Sequence, residues 1–383
     1  DLHSFPTRRS SDLVPLENGQ EAALVQGLKI HAFSCLNDLV SYLNGEKEAD
    51  EVLNNEESTE TLSLHDFSEV KGQSGAKRAM EIAAAGAHNL IMIGSPGSGK
   101  SMLAKCMPSI LPTMELSEAL EVTQIYSVSG MLQHKQRLIS QRPFRSPHHS
   151  ISNAGLVGGG KNPRPGEISL AHHGVLFLDE LPEFRKDILE LMRQPMEDGQ
   201  LTLSRASGAY SYPARFMLIA AMNPCPCGYY GDGQRPCTCS ELSVQRYRNR
   251  VSGPLLDRID LHVDVPRLTF QEITQTNPSE SSTQIRMRVD QARSIQRKRY
   301  HEESILNNAA MSSKQIKQFC RLTTTGQELL NQAFRKLKLS ARAYDRILKV
   351  SRTIADLSGA ETIQPEHLAE AIGYRGLDQK YFR

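Results

Sequence analysis

The chain has 383 residues, of which 39% are hydrophobic and 23% are charged, and its formal net charge is +2. This composition is ordinary for a soluble globular protein, and the length predicts two or three domains. No apolar run approaches the ~20 residues that a membrane-spanning helix needs. We find no secretory pattern either, so we expect a cytoplasmic protein without a membrane partner.

The small net charge hides a strong polarity along the chain. Residues 14–70 hold 12 acidic side chains against 2 basic ones, whereas residues 241–383 hold 24 basic side chains against 16 acidic ones. A basic C-terminal third suits a polyanionic partner such as nucleic acid. The same charges would also serve to solvate the outer faces of helices, so charge alone leaves both interpretations open.

The first 65 residues are predicted to lie outside the main domain. Residues 1–13 resemble the translation of a common DNA-sequencing adapter, so we interpret them as an artefact. Residues 14–43 are predicted to be the tail of an N-terminal domain, and the acidic residues 44–65 a linker. The tail's apolar pattern predicts a helix, a strand and a second helix: 21–28, 28–33 and 36–43.

From Asp66 the pattern changes to short apolar strands that alternate with helices. Gly86 is placed to cap a helix over residues 75–85. The predicted strands are 89–93, 175–178, 216–222 and 261–265. Continuous apolar strands alternating with helices predict a parallel sheet covered on both faces, here an α/β domain over residues 66–268.

Beyond Leu268 the strand pattern stops, and residues 269–383 are predicted to form a small all-α domain. Gly359 is placed to cap the third helix of this domain and Pro365 to begin the fourth. The four amphipathic helices are predicted over residues 284–298, 327–337, 342–357 and 366–372.

A phosphate-binding loop follows the first strand of the α/β domain. It reads Gly94-Ser95-Pro96-Gly97-Ser98-Gly99-Lys100-Ser101 and has a strand before it and a helix after it, as the pattern requires. The glycines let backbone N–H groups turn toward phosphate oxygens, and the helix N-terminus favours negative charge. Lys100 is suited to the β- and γ-phosphates and Ser101 to Mg²⁺, which predicts ATP and Mg²⁺ as ligands.

Three polar residues follow the next two predicted strands. Asp179 is suited to hold Mg²⁺ through water, and Glu180 to orient and polarise the water that attacks the γ-phosphate. Asn223 is suited to hydrogen-bond the γ-phosphate or that water. The alternative for Asn223 is a purely structural role in the turn before Pro224.

Hydrolysis also needs cations where charge develops on the γ-phosphate. Arg258, just before the last strand, and Arg342, at a helix start in the C-terminal domain, are the candidates. Each arginine would equally serve in a salt bridge with a surface acid, and periodicity does not decide between these roles.

Four long runs, over residues 142–149, 158–168, 174–184 and 222–228, carry a resemblance to a known family. The chain resembles the ComM/YifB family, the bacterial branch of magnesium-chelatase-like AAA+ proteins, over residues 14–383. The resemblance implies the AAA+ P-loop fold, with residues 269–383 as its lid and residues 14–43 as the end of a Lon-protease-like domain.

The resemblance also implies roles and partners. It makes Asn223 sensor 1, Arg342 sensor 2, and Arg258 an arginine finger supplied in trans within a homo-oligomeric, hexameric ring. It implies an ATP-dependent DNA translocase or helicase that drives branch migration in homologous recombination during natural transformation. The alternative is a chelatase-type motor that remodels a protein partner. A non-catalytic scaffold is disfavoured because every hydrolytic group is present. Residues 14–43 do not decide whether the Lon-like domain is a protease.

Residues 200–212 alternate Leu and Thr, contain a Gly turn and predict a β-hairpin. In similar motors this hairpin points into the central pore. Arg205, and also Lys161 or Arg164, would then touch the phosphate backbone of DNA. The alternative is a structural hairpin with an exposed arginine.

Four cysteines cluster between the third and fourth predicted strands. Cys225-x-Cys227 and Cys237-x-Cys239, nine residues apart, match a closed tetrahedral Zn²⁺ site with a structural role. Free buried thiols or an oxidation-sensitive loop are the alternatives. The histidine pairs at 148–149 and 172–173 are interpreted as structural or nucleotide-adjacent in preference to a metal site.

Overall fold

The structure is a computed structural model that divides into two units. Residues up to 62, together with 131–140, form the first unit, and residues 63–130 and 141–383 form the second. The structure describes residues 11–23, 28–48, 52, 65–132, 138–160, 164–205, 208–274, 279–303, 305–337, 339–377 and 381.

The first unit contains two parallel strands and two short helices. In chain order these are β1 (Ser11–Pro15), α1 (Gly19–Ala22), β2 (Lys29–Phe33) and α2 (Leu36–Leu43). The predicted strand and second helix are confirmed, whereas α1 begins two residues before the predicted helix at 21–28, and residues 24–27 lie outside the description. Ser11 pairs with Lys29, so β1 includes the last three residues of the segment interpreted as an artefact.

The strands of the second unit are β3 (Leu90–Ile93), β4 (Phe144–Arg145), β5 (Gly158–Gly159), β6 (Arg164–Pro165), β7 (Val175–Leu178), β8 (Gln200–Arg205), β9 (Gly208–Pro213), β10 (Met217–Met222) and β11 (Leu261–Asp264). Five of them form a parallel sheet in the order β11-β3-β10-β7-β4. Two further pairs, β5 with β6 and β8 with β9, are antiparallel. The four predicted strands are confirmed to within one residue at each end.

Helices cover both faces of this sheet, and among the described residues after β11 the regular elements are helices, besides one isolated bridge between Leu322 and Ile363. Within the described ranges, no helix is long and apolar enough to cross a membrane. The helices are α3 (Ser74–Gly86), α4 (Lys100–Ile110), α5 (Leu116–Ser129), α6 (Asn153–Val157), α7 (Glu167–Leu170), α8 (Lys186–Leu191), α9 (Arg193–Asp198), α10 (Glu241–Arg248), α11 (Gly253–Leu256), α12 (Phe270–Thr274), α13 (Ser282–Arg299), α14 (Ser313–Phe319), α15 (Thr324–Leu337), α16 (Ala341–Leu357) and α17 (Pro365–Gly373).

Successive strand residues point to opposite faces and enter two hydrophobic clusters. Leu90 and Met92 of β3 join one cluster, while Ile91 and Ile93 join the other. The first cluster also contains Val289 of α13 and Ile347 of α16, so the C-terminal helices share a core with the sheet. Each buried aliphatic side chain contributes roughly 1.5–3 kcal/mol. The predicted fold class, a helix-covered parallel sheet followed by a small helical region, is confirmed.

The end of α3 differs from the prediction. Gly86 is the last residue of the helix, and the left-handed position that follows it belongs to Ala87, with φ of 57°. A Cβ at Gly86 would lie 2.2 Å from Nε2 of His88 and 2.6 Å from Oγ1 of Thr353 in α16. Glycine is therefore required here by the close approach of His88 and of Thr353 in α16, and not by helix capping.

Candidate nucleotide-binding site

The carboxyl ends of three adjacent strands bring the predicted site residues together. β3 leads into the phosphate loop, β10 ends before Asn223, and β7 ends before Asp179 and Glu180. These strands are neighbours in the order β3-β10-β7, and all are parallel. Ligands of open α/β sheets bind at this edge, because the loops that leave the strands there form a crevice.

Two glycines of the phosphate loop have positive φ and open space beside them. Gly97 and Gly99 have φ of 77° and 92°, and a Cβ added to either residue would meet nothing within 4 Å. Gly94 is different, since a Cβ there would lie 2.2 Å from the carbonyl oxygen of Val265. The buried hydroxyl of Ser98 has no hydrogen-bond partner within the described part of the chain. There is thus open space beside Gly97 and Gly99, and among the described residues the Ser98 hydroxyl is unpaired.

Lys100, the first residue of α4, is held by three oxygen atoms. Its Nζ donates to the carbonyl oxygens of Gly94 at 2.7 Å and Ser95 at 3.0 Å, and to Oδ1 of Asn223 at 3.2 Å. Burial lowers the pKa of Lys100 to about 8, although the charges of Asp179 and Glu180 act in the opposite direction. The ammonium group is thus ordered beside the loop before any phosphate arrives.

Ser101 and Asp179 form the pair that suits Mg²⁺. The Ser101 hydroxyl donates to Oδ2 of Asp179 at 2.5 Å, although 78 residues separate them in sequence. Hydroxyl and carboxylate oxygens are the ligands that this ion prefers, and it usually keeps several waters and binds substrate phosphates as well. The donor set and its position next to the phosphate loop therefore fit the ion.

Glu180 stands next to this pair in a strained backbone conformation. Its φ is 52°, which is uncommon outside glycine, and such strain is concentrated at functional sites. The side chain is 56% exposed, and Oε2 lies 3.6 Å from Nδ1 of His149. The Glu180 carboxylate is therefore open to solvent water at the carboxyl edge of the sheet, from which the phosphate loop starts.

Comparisons with known proteins assign most of the second unit to one protein family. The family model described as magnesium chelatase, subunit ChlI, matches residues 66–273, and that of its C-terminal region matches residues 279–375. The chain is 45% identical over 375 residues to competence protein ComM of Haemophilus influenzae, covering 95% of this chain and 71% of ComM. The chain belongs to the ComM/YifB family of magnesium-chelatase-like AAA+ proteins.

Two further relatives differ in how similar they are to this chain and in how much of it they cover. The uncharacterized protein YifB of Escherichia coli is 43% identical over 371 residues, covering 96% of this chain and 71% of YifB. The 38 kDa magnesium-chelatase subunit of Rhodobacter capsulatus is 25% identical over 182 residues, covering 43% of this chain and 51% of that subunit. Similarity is thus stronger and longer toward the ComM and YifB proteins.

Arg258 lies at the opposite edge of the AAA+ sheet. Its carbonyl oxygen accepts from the side chain of Asn89, the residue before β3, whereas the phosphate loop follows the other end of that strand. Four strand residues span about 13 Å. The buried guanidinium donates to Glu197 and to the carbonyl oxygen of Pro254. Within one chain, Arg258 and the phosphate loop are therefore at opposite ends of β3.

Arg342 is on the same side as Arg258. It is exposed in the first turn of α16. The pKa of Glu197 lies below its usual value because Arg258 donates to it, and the nearby charge of Arg342 lowers it further. Arg346, one turn later, binds Asp260 just before β11. Both predicted cations thus gather near Glu197 and away from their own phosphate loop.

The predicted hairpin forms and projects into solvent. Six residue pairs join β8 and β9, from Gln200 opposite Pro213 to Arg205 opposite Gly208. All residues of β9 are exposed except Tyr212, which is partly exposed. Arg164 is exposed in β6. The side chain of Arg205 and all of Lys161 lie outside the described residues.

The four predicted cysteines converge. Sγ of Cys225 lies 3.4 Å from that of Cys227 and 3.7 Å from that of Cys237, and the Cys227 and Cys237 sulfurs are 3.5 Å apart. Cys239 completes a group whose sulfurs all lie within 4.8 Å of one another. A disulfide needs about 2.05 Å, so none of these distances is a bond.

The second histidine pair has a structural arrangement. His172 Nδ1 accepts from the backbone N–H of Arg215, so the ring proton is on Nε2, which donates to Glu121. Burial lowers the pKa of His172 to about 4, and the neighbouring charge of His173 lowers it too. A neutral ring whose two nitrogens are both engaged is not free to bind a metal ion, although Glu121 and both histidines lie close together.

Two residues near the phosphate loop carried no specific signal in the sequence. Gln73, with φ of 56°, donates from its side chain to the carbonyl oxygens of Ser98 and Pro266. His149 faces Glu180, and the sequence pattern indicated only a structural or nucleotide-adjacent role for it. Both contacts join segments that are distant in sequence, so a local pattern does not reveal them.

Proposed function

We propose that this chain is an ATP-hydrolysing motor that acts on DNA. The proposal of ATP hydrolysis rests on one observation: Lys100, Ser101 and Asp179 lie together at the phosphate loop. Glu180 and Asn223, which flank this group, complete a set suited to phosphoryl transfer to water.

Each residue has a proposed task. Lys100 neutralises the β- and γ-phosphates, and Ser101 and Asp179 hold Mg²⁺, directly or through water. When bound, the ion supplies positive charge that stabilises the phosphate oxygens of the transition state. Glu180 orients the attacking water and accepts its proton, because its carboxylate is exposed at the same edge. Asn223 already contacts Lys100 and is well positioned to bind the γ-phosphate.

We further propose that the site is completed by a second copy of the chain in a hexameric ring. Arg258 and Arg342 lie beyond the amino edge of the sheet, and their own phosphate loop follows the opposite edge. A cation supplied by one subunit to the next explains why both arginines are located there. The pairing of Arg258 with Glu197 would then be exchanged for contact with the neighbouring γ-phosphate.

The proposed action on DNA rests on the similarity to ComM, on the basic C-terminal third and on the projecting hairpin. The chain is 45% identical to a protein named for competence. Residues 241–383 carry 24 basic against 16 acidic side chains, which suits a phosphate backbone. We propose a DNA translocase that drives branch migration in homologous recombination during natural transformation, with Arg205, Lys161 and Arg164 as candidate DNA contacts.

A second candidate is a chelatase-type motor that remodels a protein. It is favoured by the match of both chelatase family models to residues 66–273 and 279–375. DNA dependence of the ATPase rate separates the two candidates, because a protein-remodelling motor has no reason to respond to DNA.

The test compares ATP turnover without DNA, with single strands and with branched duplexes. A DNA translocase should hydrolyse ATP faster with DNA, and fastest with the structure that it moves along. Glu180→Gln is the matched control, since it keeps the shape of the side chain and removes the base. Turnover that is equal under all three conditions would contradict the DNA proposal, while turnover in Glu180→Gln equal to wild type would contradict the assigned chemistry.

A further inference from the structure

The connection between β10 and α10 is long and lacks regular structure. Residues 223–240 form neither helix nor strand. Connections of this length are uncommon within compact domains and are usually functional. Ordering each residue costs roughly 1–2 kcal/mol in backbone entropy, so something must hold this segment.

The cysteine sulfurs have the geometry of a single tetrahedral metal ion. A Zn²⁺ ion with four Zn–S bonds of about 2.3 Å places the sulfurs about 3.8 Å apart. The observed separations of 3.4, 3.5 and 3.7 Å are close to this spacing. All four sulfurs lie within 4.8 Å of one another, which leaves room for one ion but not for a cluster of several iron and sulfide atoms.

The backbone around these sulfurs is also suited to thiolates. The N–H of Cys227 donates to Sγ of Cys239, and the N–H of Cys239 donates to Sγ of Cys237, each at 3.4 Å. Such donors stabilise negative charge on sulfur and orient the ligands of a metal site. Four thiolates this close together would repel one another, so all four sulfurs can lose their protons only if a cation lies between them.

The same segment rests on the phosphate loop. Oδ2 of Asp232 accepts from the Ser95 hydroxyl at 2.6 Å, while Oδ1 accepts from the backbone N–H groups of Gln234 and Arg235. A Cβ at Gly228 would lie 2.5 Å from Cδ of Pro96. The cysteine-rich segment therefore contacts two consecutive residues of the loop that surrounds the phosphates.

We propose that the four cysteine thiolates bind one Zn²⁺ and that this ion holds residues 223–240 against the phosphate loop, so that losing the ion weakens nucleotide binding. Zinc supplies the free energy that orders the segment, as it does in small metal-dependent folds. Asp232 is then a positioning residue that transmits this order to Ser95. The nucleotide part rests on the proposed ATPase function, whereas the metal part stands independently.

The first experiment measures metal content and its consequences. The purified protein should contain one zinc per chain by mass spectrometry of the metal. Removing the metal with a thiol reagent and a chelator should weaken binding of a fluorescent ATP analogue roughly tenfold, and Zn²⁺ added after the thiols are restored should reverse this. Protein that carries no zinc, or that binds nucleotide equally well without it, would overturn the proposal.

The second experiment tests Asp232 separately, because cysteine variants risk misfolding. Asp232→Asn should keep its zinc and its thermal midpoint but bind the ATP analogue several-fold more weakly. Glu241→Gln, an exposed carboxylate just beyond Cys239, is the control and should bind as wild type does. Equal affinity in Asp232→Asn and wild type would refute the coupling between the segment and the phosphate loop.

A third readout separates this inference from the proposed function. Amide hydrogen exchange of residues 94–101, measured without nucleotide, should become faster when zinc is removed. If the zinc-loaded chain binds no ATP, the proposed function fails, yet this exchange difference still supports the structural coupling. If exchange of residues 94–101 does not change when zinc is removed, the coupling fails whatever the ATPase assay shows.

Discussion

The affinity for nucleotide should fall as pH rises, with Lys100 as the titrating group. Burial lowers the pKa of Lys100 to about 8 in the free chain. The charged form, which the phosphates require, is therefore present below that pH and is lost above it. The charged fraction falls from about 0.9 at pH 7 to about 0.1 at pH 9. If only the ammonium form binds, affinity should weaken about tenfold over this interval, or about 1.4 kcal/mol.

Calorimetric titration with Mg-ATP at several pH values measures this dependence directly. Near pH 8, binding should take up about half a proton, which appears as a difference between buffers with different ionisation enthalpies. Lys100→Arg is the matched control, because a guanidinium stays charged throughout this range and should give a flat profile whatever its absolute affinity. A flat wild-type profile, or an equal slope in Lys100→Arg, would refute the role assigned to the lysine.

Three further predictions concern the base, the arginine finger and the packing of the helical region. Glu180→Gln should bind ATP with near wild-type affinity but turn it over about 10²–10⁴-fold more slowly in a phosphate-release assay, since it loses the general base; wild-type turnover would contradict the assignment. Arg258→Ala should keep nucleotide binding but lose activity by on the order of a thousandfold. Mixing Arg258→Ala chains with Lys100→Ala chains should restore part of the activity, because each subunit supplies the residue that the other lacks. No recovery in verified mixed rings would argue against an arginine finger supplied in trans. Gly86→Ala should lower the free energy of unfolding by about 1–3 kcal/mol, because the added Cβ collides with His88 and Thr353. Chemical denaturation measures this change. A variant of equal or greater stability would contradict the packing of α16 on α3.

Much of the fold was predictable because its signals are local. The strands that carry the phosphate loop and Asp179 are short apolar runs closed by a glycine or an acid, and both begin and end close to the predicted residues. The hairpin at 200–213 and the start of α17 at Pro365 follow from alternation and from proline at the first helical turn. In each case the deciding interaction lies within one element or between neighbours in sequence.

The rest depends on contacts between distant segments. Gly86 was interpreted as a helix cap, yet glycine is required because the His88 ring lies against it, and that ring is hydrogen-bonded to Thr353, 267 residues from Gly86 in sequence. Asp232 contacts Ser95 only because residues 223–240 fold back over the phosphate loop. The motif around Arg258 does not indicate which edge of the sheet the residue occupies, because that follows from the packing beside Asn89.

The most direct test of the central claim is a calorimetric titration of folded wild-type chain with ATP and Mg²⁺, alongside Lys100→Ala. Saturable uptake that approaches one nucleotide per chain, and that is lost in the variant, is the predicted result. A wild-type chain that shows no uptake, or a Lys100→Ala chain that binds equally well, would contradict the assignment of residues 94–101 as the nucleotide site.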